Sequence, residues 1–200
     1  MTYPQSDHPS GRQSNHLPNH AAAKSSRLWV EVLQTMGLSI VLALGMRQFV
    51  AEARLVPTGS MEPTVQINDR LVIDKISYLF RSPQRGDIIV FQAPEKALVI
   101  AGSATSDAYL KRIVGLPGET VEITGGYVLI NGKAIEERYI KAPPNYNWGP
   151  EVVPEEQYLV LGDNRNGSLD GHVWGFLPEE TIIGKAAVRF WPPHRLGGLD

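Results

Sequence analysis

Residues 120–135, with the sequence TVEITGGYVLINGKAI, contain short runs of β-forming residues, each followed by a glycine-containing turn. Gly125-Gly126 and Asn131-Gly132 are typical hairpin turns, so this segment predicts β-hairpins. Further β-type runs lie outside it, at residues 70–74, 87–91, 109–114, 157–161 and between 181 and 190. No stretch after residue 56 has a convincing helical period, so the sequence predicts a mainly β, antiparallel domain. We expect residues 142–154 to form a loop or an extended excursion.

The composition limits the classes of function. A chain of 200 residues has room for one domain of ordinary size plus an appendage. Nineteen Lys and Arg residues against 21 Asp and Glu residues give a net charge of -2, which argues against a nucleic-acid partner. The absence of cysteine excludes disulfides, thiolate nucleophiles and cysteine-ligated zinc.

Residues 1–26 are polar and contain three prolines without any regular period, which predicts a flexible tail. Three histidines lie in this tail (His8, His16 and His20), but they lack cysteine partners and we expect no metal there.

Residues 28–50 form the most apolar segment, and no charged residue lies between Val32 and Met46. Apolar residues occur on every face, which indicates a helix without a solvated side. A cleaved signal peptide is disfavoured because the apolar region starts late and residues 47–49 lack a small-x-small site. A core helix remains possible, but a single transmembrane helix is favoured, although its length is borderline for a span of roughly 20 residues.

Positive charges set the expected orientation of that helix. Arg12, Lys24 and Arg27 precede the apolar segment, so the tail is expected to be cytoplasmic. Residues 51–200 would then form a catalytic or binding domain on the opposite side of the membrane.

Two segments carry residues suited to nucleophilic catalysis. Ser60 lies in residues 57–64, PTGSMEPT, where the alternative interpretation is a simple turn. Lys111 and Arg112 follow each other in a β-type run, so their side chains point to opposite faces and one of them meets apolar surroundings. Burial lowers the pKa of a lysine and makes it a possible general base. The alternative is that both cations lie on a solvated edge strand.

Residues 162–172, GDNRNGSLDGH, form a polar loop that is either functional or a hydrogen-bonded turn cluster. A Ser-His-Asp triad with His172 or His194 has no Gly-x-Ser-x-Gly motif to support it. A Ser-Lys pair needs neither histidine nor cysteine and agrees better with the residues present. Residues 85–91, RGDIIVF, look structural: a turn followed by a buried strand.

In this order, residues 57–64, 85–91, 111–119 and 162–170 resemble the four sequence boxes of type I signal peptidases (leader peptidases). These bacterial and thylakoid enzymes are membrane-bound serine proteases with a Ser-Lys dyad. The resemblance extends from about residue 28 to residue 193. It implies a signal-peptidase fold, with an antiparallel, barrel-like sheet after one transmembrane helix and a small hairpin subdomain at about residues 118–156.

The resemblance also implies the roles of individual residues. Ser60 corresponds to the nucleophile, Lys111 to the neutral general base, and the Thr58 hydroxyl with the Ser60 N–H to the oxyanion hole. Three residues support them: Ser168 orients the lysine amine, Asp170 buttresses the site, and Arg112 has an electrostatic role. Asp170 normally pairs with an arginine two residues later, but here His172 stands in that place. The expected substrate-binding walls are Val56, Pro57, Met61, Tyr109 and Leu110.

The implied substrates are the signal peptides of exported preproteins, cut after small residues of the Ala-x-Ala type, without a metal or an organic cofactor. The implied location is the inner cell membrane or the thylakoid membrane, in contact with the lipid bilayer, with the catalytic domain on the periplasmic or lumenal side. Two alternatives remain: a soluble Ser-Lys autopeptidase of the repressor-cleaving type, and a membrane-tethered β module without catalysis.

Overall fold

The structure, a computed structural model, describes residues 20–49, 51–102 and 108–199, with side chains from residue 29 to 45 in the first of these ranges. The chain divides into two compact units, Met1–Leu44 and Gly45–Asp200. The predicted tail lies outside the described residues as far as residue 19. Its last part is helical, because the first helix, α1, begins at His20 and ends at Phe49.

Helix α1 exposes large apolar side chains along its described length. They include Trp29, Leu33, Met36, Leu38, Val41 and Leu44, each more than half exposed. Two of its hydroxyls are satisfied within the helix: Thr35 Oγ1 donates to Glu31 O at 2.8 Å and Ser39 Oγ donates to Thr35 O at 2.7 Å. Among the described residues, no helix is both long enough and apolar enough to cross a membrane. The transmembrane assignment of residues 28–50 therefore stays a prediction.

The described part of the second unit consists mainly of strands. In chain order these are β1 (Ala51–Leu55), β2 (Arg70–Asp74), β3 (Ile88–Gln92), β4 (Ala108–Gly115), β5 (Thr120–Thr124), β6 (Tyr127–Ile130), β7 (Lys133–Ala134), β8 (Trp148–Val152), β9 (Gln157–Leu161), β10 (Leu177–Pro178), β11 (Ile182–Trp191) and β12 (Gly197–Gly198). Two short helices accompany them, α2 (Glu95–Ala101) and α3 (Gly171–Trp174).

The strands form two antiparallel sheets. The large sheet has the order β1-β2-β11-β3-β4-β9-β10, with β12 paired to β11, and the small sheet has the order β7-β6-β5-β8. The predicted mainly antiparallel β fold is confirmed. The prediction of a barrel-like sheet is wrong, because β1 and β10 stand at opposite ends of the strand order and the described sheet does not close.

Several described elements were not expected from the sequence; besides the short α3, β10 and β12, they are β8, β1 and α2. β8 lies inside residues 142–154, where Gly149 and Pro150 weaken the strand signal; proline is tolerated there because β8 is an edge strand. β1 has the sequence AEARL, in which charged residues alternate with small or apolar ones, and α2 has seven residues, too few for a periodic pattern.

β4 carries Lys111 and connects the two sheets. It pairs with β3 through Ile89 opposite Lys111 and with β9 through Leu161 opposite Arg112. At its end, Gly115 lies against the core of the small sheet. A Cβ atom there would meet the side chains of Val121 at 2.8 Å and Leu159 at 2.9 Å.

Gly115→Ala is therefore expected to lower the free energy of unfolding by about 1–3 kcal/mol, because the added methyl group overpacks the core. Chemical denaturation of the full chain in a mild detergent measures this change. Gly198→Ala is the matched control, since a Cβ at residue 198 meets no atom within 4 Å. Equal stability of the two variants would contradict the packing described at Gly115.

Candidate active site

Ser60 lies in the turn that follows β1, and its backbone is held by the 162–170 loop. Asn164 makes two hydrogen bonds to this turn: its backbone N–H donates to Ser60 O at 3.0 Å and its Nδ2 donates to Gly59 O at 3.1 Å. Ser60 is 9% exposed. The turn and the loop, 100 residues apart in sequence, are thus joined at the serine itself.

Lys111 reaches Ser60 from β4. Its Nζ lies 2.8 Å from Ser60 Oγ and 3.1 Å from Leu110 O. Only 4% of Lys111 is exposed, and burial lowers the pKa of its amine to about 8, against the opposing effect of the carboxylates of Asp170 and Asp163. Such an amine exists partly in its neutral form near neutral pH and can accept a proton from the serine hydroxyl.

Arg112 is buried on the other face of β4. Its Nε donates to Asp163 Oδ1 at 2.9 Å and its Nη2 to Asp163 Oδ2 at 2.8 Å, while the Tyr139 ring lies 4.0 Å from the guanidinium. This arrangement agrees with the expectation that the side chains of Lys111 and Arg112 point to opposite faces of the strand. The alternative of a solvated edge is wrong for both cations, because Lys111 and Arg112 are each only 4% exposed.

Thr58 lies beside the serine on the exposed side of the turn. Its Oγ1 is 3.4 Å from Ser60 Oγ, so the hydroxyls of the two residues lie next to each other. Its assignment to the oxyanion hole stays a prediction.

Ser168 differs from the expectation. Its Oγ is buried and has no hydrogen-bond partner among the described residues, so the expected hydrogen bond to the lysine amine is absent. The Ser168 side chain packs against Gly162, where a Cβ atom would collide with the Ser168 hydroxyl and with Ser60 O. Glycine at residue 162 therefore allows the loop to approach the serine closely.

Asp170 is fully buried and is bound by three groups. Its Oδ2 accepts from the backbone N–H of Gly162 at 2.8 Å, and its Oδ1 accepts from the N–H of His172 at 3.2 Å, which caps α3. The Nδ1 atom of His172 lies 2.6 Å from the same Oδ1. An imidazole thus occupies the place where the resemblance leads one to expect an arginine.

A cavity of about 670 Å³ opens beside the serine and the lysine. All five expected wall residues line it: Val56, Pro57, Met61, Tyr109 and Leu110. Leu71, Ile73, Val90 and Leu169 also line it and were not expected. Most of this lining is apolar, which suits a site that excludes water from a neutral amine.

Several buried or half-buried residues around the site carried no assigned role in the sequence. Asp163, Arg165, Glu137, Tyr139 and Tyr146 surround Arg112 and Asp170. Asp163 and Arg165 lie in the 162–172 loop, whose polar composition drew attention to it, whereas no pattern distinguishes the segment that holds the other three. Among the described residues, no group of three or more His, Cys, Asp or Glu side chains is arranged to hold a metal ion.

Comparisons with known proteins identify the family of this chain. Residues 29–191 match the family model described as signal peptidase, peptidase S26. The chain is 54% identical to a signal peptidase I from Leptolyngbya laminosa, over 98% of this chain and 96% of that protein. It is 38% identical to thylakoidal processing peptidase 1 of Arabidopsis thaliana, over 79% of this chain and 47% of that protein.

A crystal structure of a signal peptidase I from Enterococcus faecalis V583 is also similar, at 31% sequence identity and a TM-score of 0.44, over 52% of this chain and 97% of that one. The chain belongs to the signal peptidase family, peptidase S26. It is a hydrolase, a serine endopeptidase of the signal peptidase I class. This membership decides against the repressor-type autopeptidase and the non-catalytic β module.

The lowered pKa of Lys111 predicts a pH-dependent stability. Between pH 8 and 10.5 the unfolded chain binds more protons at this lysine than the folded chain, so the stability of the wild type rises with pH in that window. Lys111→Met removes this contribution. The stability difference between Lys111→Met and the wild type is expected to shrink by about 2 kcal/mol from pH 7 to pH 10.

Urea denaturation of both full-length proteins in detergent, at several pH values, measures that difference. Lys96→Met, which removes an exposed lysine on α2, is the control and is expected to follow the wild type at every pH. Parallel pH dependence of Lys111→Met and the wild type would mean that the amine is charged in the folded protein.

Proposed function

We propose that this enzyme removes signal peptides from exported preproteins, with Ser60 as the nucleophile and Lys111 as the general base. The observation that carries the proposal is the distance of 2.8 Å between Lys111 Nζ and Ser60 Oγ, in surroundings that lower the pKa of the amine to about 8. A general base must lie within hydrogen-bond reach of the proton that it takes, and its pKa must be near the working pH.

In the first half of the reaction, Ser60 Oγ attacks the carbonyl carbon before the cleavage site while its proton passes to Lys111 Nζ. Negative charge develops on the carbonyl oxygen, and the Thr58 hydroxyl and the Ser60 N–H donate hydrogen bonds to it. Loss of one such donor typically raises the barrier by about 2.7–4 kcal/mol. Lys111 then gives its proton to the leaving amine as the C–N bond breaks, which leaves an acyl-enzyme on Ser60.

In the second half, water attacks the acyl carbon while Lys111 accepts one of its protons. The tetrahedral intermediate collapses, the bond to Ser60 Oγ breaks, and the proton returns from Lys111 to that oxygen. The enzyme is restored and the signal peptide leaves with a new carboxyl end. The supporting role proposed for Arg112 is electrostatic, because it forms a buried charge pair with Asp163. Asp170 is proposed to buttress the site through the hydrogen bonds that it accepts from the N–H groups of Gly162 and His172.

The substrate is proposed to bind as an extended strand along the start of β4. β3 pairs with β4 at residues 108–112, but β9 pairs with β4 only from Arg112 onward. Residues 108–110 therefore have one backbone edge without a ladder partner among the described strands. An added peptide strand gains main-chain hydrogen bonds there, and the cavity beside it receives the small residues before the cut.

Residues 28–50 are proposed to anchor the enzyme in an energy-transducing or plasma membrane, with the N-terminal tail in the cytoplasm and the catalytic unit on the other side. The exposed apolar side chains of α1 and the internally satisfied hydroxyls of Thr35 and Ser39 support this proposal. In hydrocarbon, polar groups must find partners within the protein.

Ser60→Ala and Lys111→Ala are each expected to abolish cleavage of a preprotein in detergent, with circular dichroism unchanged. Lys111→Arg is also expected to be inactive, because a guanidinium is not deprotonated in proteins. Ser82→Ala and Lys96→Ala alter an exposed serine and an exposed lysine and serve as matched controls with full activity. Wild-type cleavage by either Ser60→Ala or Lys111→Ala would refute the dyad.

Washing of membranes with alkaline carbonate tests the anchor. The full chain is expected to stay in the membrane pellet. Leu38→Glu combined with Leu42→Glu, which places two charges on α1, is expected to move protein into the supernatant because burying a carboxylate in lipid is costly. Wild-type protein in the supernatant would contradict the anchoring role.

A further inference from the structure

Buried positive and negative charges are unequal in number in the part of the protein that contains Asp163 and Asp170, the two carboxylates that act on Lys111. Each is at most 5% exposed, and together they comprise two arginines and three carboxylates: Arg112, Arg165, Asp163, Glu137 and Asp170. With neutral Lys111 and neutral His172, this cluster carries one negative charge in excess. A buried excess charge is costly, so binding of one additional proton to the cluster is favourable.

The pairing shows which carboxylate is left over. Arg112 binds Asp163 through two nitrogens, and Arg165 binds Glu137 through Nη1 at 2.8 Å and Nη2 at 2.6 Å. Asp170 has no arginine. Apart from two backbone N–H groups, its described partner is His172 Nδ1 at 2.6 Å.

Asp170 acts on Lys111 through its charge. Of the two carboxylates that counteract the lowered pKa of Lys111, Asp170 has the larger effect and Asp163 the smaller. The negative charge of Asp163 is always compensated by Arg112, because a guanidinium keeps its proton in proteins. The compensation of Asp170 depends on whether the imidazole carries a proton, since histidine changes its charge within the physiological pH range.

The other surroundings of His172 add no free charge. The Tyr146 ring stacks on the imidazole with centroids 4.0 Å apart, and burial raises the pKa of Tyr146, which keeps its phenol neutral. Glu137 and Arg165, which also act on Tyr146, neutralise each other. The His172 side chain is 18% exposed whereas Asp170 is fully buried, so the imidazole can exchange protons with solvent.

We propose that His172 is a positioning residue for the peptidase reaction: its protonated imidazole compensates Asp170, so that the extra proton of the buried cluster resides on His172 and not on Lys111. This inference rests on the proposed role of Lys111 as general base. Loss of the imidazole charge returns the proton to the lysine and removes the base.

The pH profile of kcat/KM for preprotein cleavage tests this role. His172→Asn retains a hydrogen-bond donor but cannot be charged. The acid limb of its profile, the range in which kcat/KM rises with pH, is expected to move up by about one pH unit. This shift lowers kcat/KM roughly tenfold at neutral pH. Activity is expected to recover at alkaline pH. His172→Arg supplies a permanent charge, and its acid limb is expected to stay at or below that of the wild type.

A double variant that is expected to restore activity distinguishes an effect of charge from an effect of structure. Asp170→Asn combined with His172→Asn removes both charges, so its acid limb is expected to return to the wild-type position or below it. A purely structural role for the pair predicts that this double variant is less active than His172→Asn at every pH. That outcome, or equal acid limbs in His172→Asn and the wild type, would overturn the proposal.

Nuclear magnetic resonance of the full chain in detergent, with ¹⁵N-labelled imidazoles, gives a readout that needs no cleavage. The His172 signals are assigned by their loss in His172→Asn. At about pH 8, the pKa of Lys111, both ring nitrogens of His172 are expected to carry a proton. In Lys111→Met, which has no competing ammonium, the titration midpoint of His172 is expected to move to higher pH; Lys96→Met is the control.

A neutral imidazole at that pH, or an unchanged midpoint in Lys111→Met, would refute the coupling between His172 and Lys111. These signals are recorded without substrate. The outcome of this test of His172 is therefore independent of the Ser60 and Lys111 cleavage experiments that test the proposed function.

Discussion

An amine enclosed by protein loses its hydration, and at Lys111 this loss lowers the pKa to about 8. The effect lasts only while nearby carboxylates are balanced by other cations. Arg112 provides that balance for Asp163 by two hydrogen bonds within the protein, and it also donates to Gly86 O at 2.7 Å. The buried lysine and the arginine beside it are therefore one electrostatic unit, in which one cation can lose its charge because the other cannot.

The position of β4 makes this unit possible. As an interior strand between β3 and β9, it has one face toward the cavity and Ser60 and the other toward Asp163 and Tyr139. Successive residues of a strand point to opposite faces, so adjacent cations are separated by the strand itself. The Asn164 hydrogen bonds to Gly59 and Ser60 then fix the turn that brings the hydroxyl to the amine.

Much of this arrangement could be predicted from local sequence. The β-branched runs and the glycine turns at residues 125–126 and 131–132 correspond to β2, β3, β4, β5, β6, β9 and β11, and the order of the boxes brought Ser60 and Lys111 into consideration together. Local sequence does not reveal contacts formed only on folding. Glu137, Tyr139 and Tyr146 lie in a segment without a period, and their burial depends on Arg112, Arg165 and His172 from distant parts of the chain. The missing hydrogen bond of Ser168 is likewise a property of its packing against Gly162.

The small sheet leaves and rejoins the large sheet at neighbouring strands, since β4 and β9 pair directly while β5 to β8 lie between them in sequence. A segment connected in this way can be exchanged as a block without a change in the strand order of its host. Here the block carries aromatic and acidic neighbours of Arg112, Arg165 and His172, but neither Ser60 nor Lys111. Replacement of this insert would therefore change the surroundings of these side chains while the serine and the lysine stay in place.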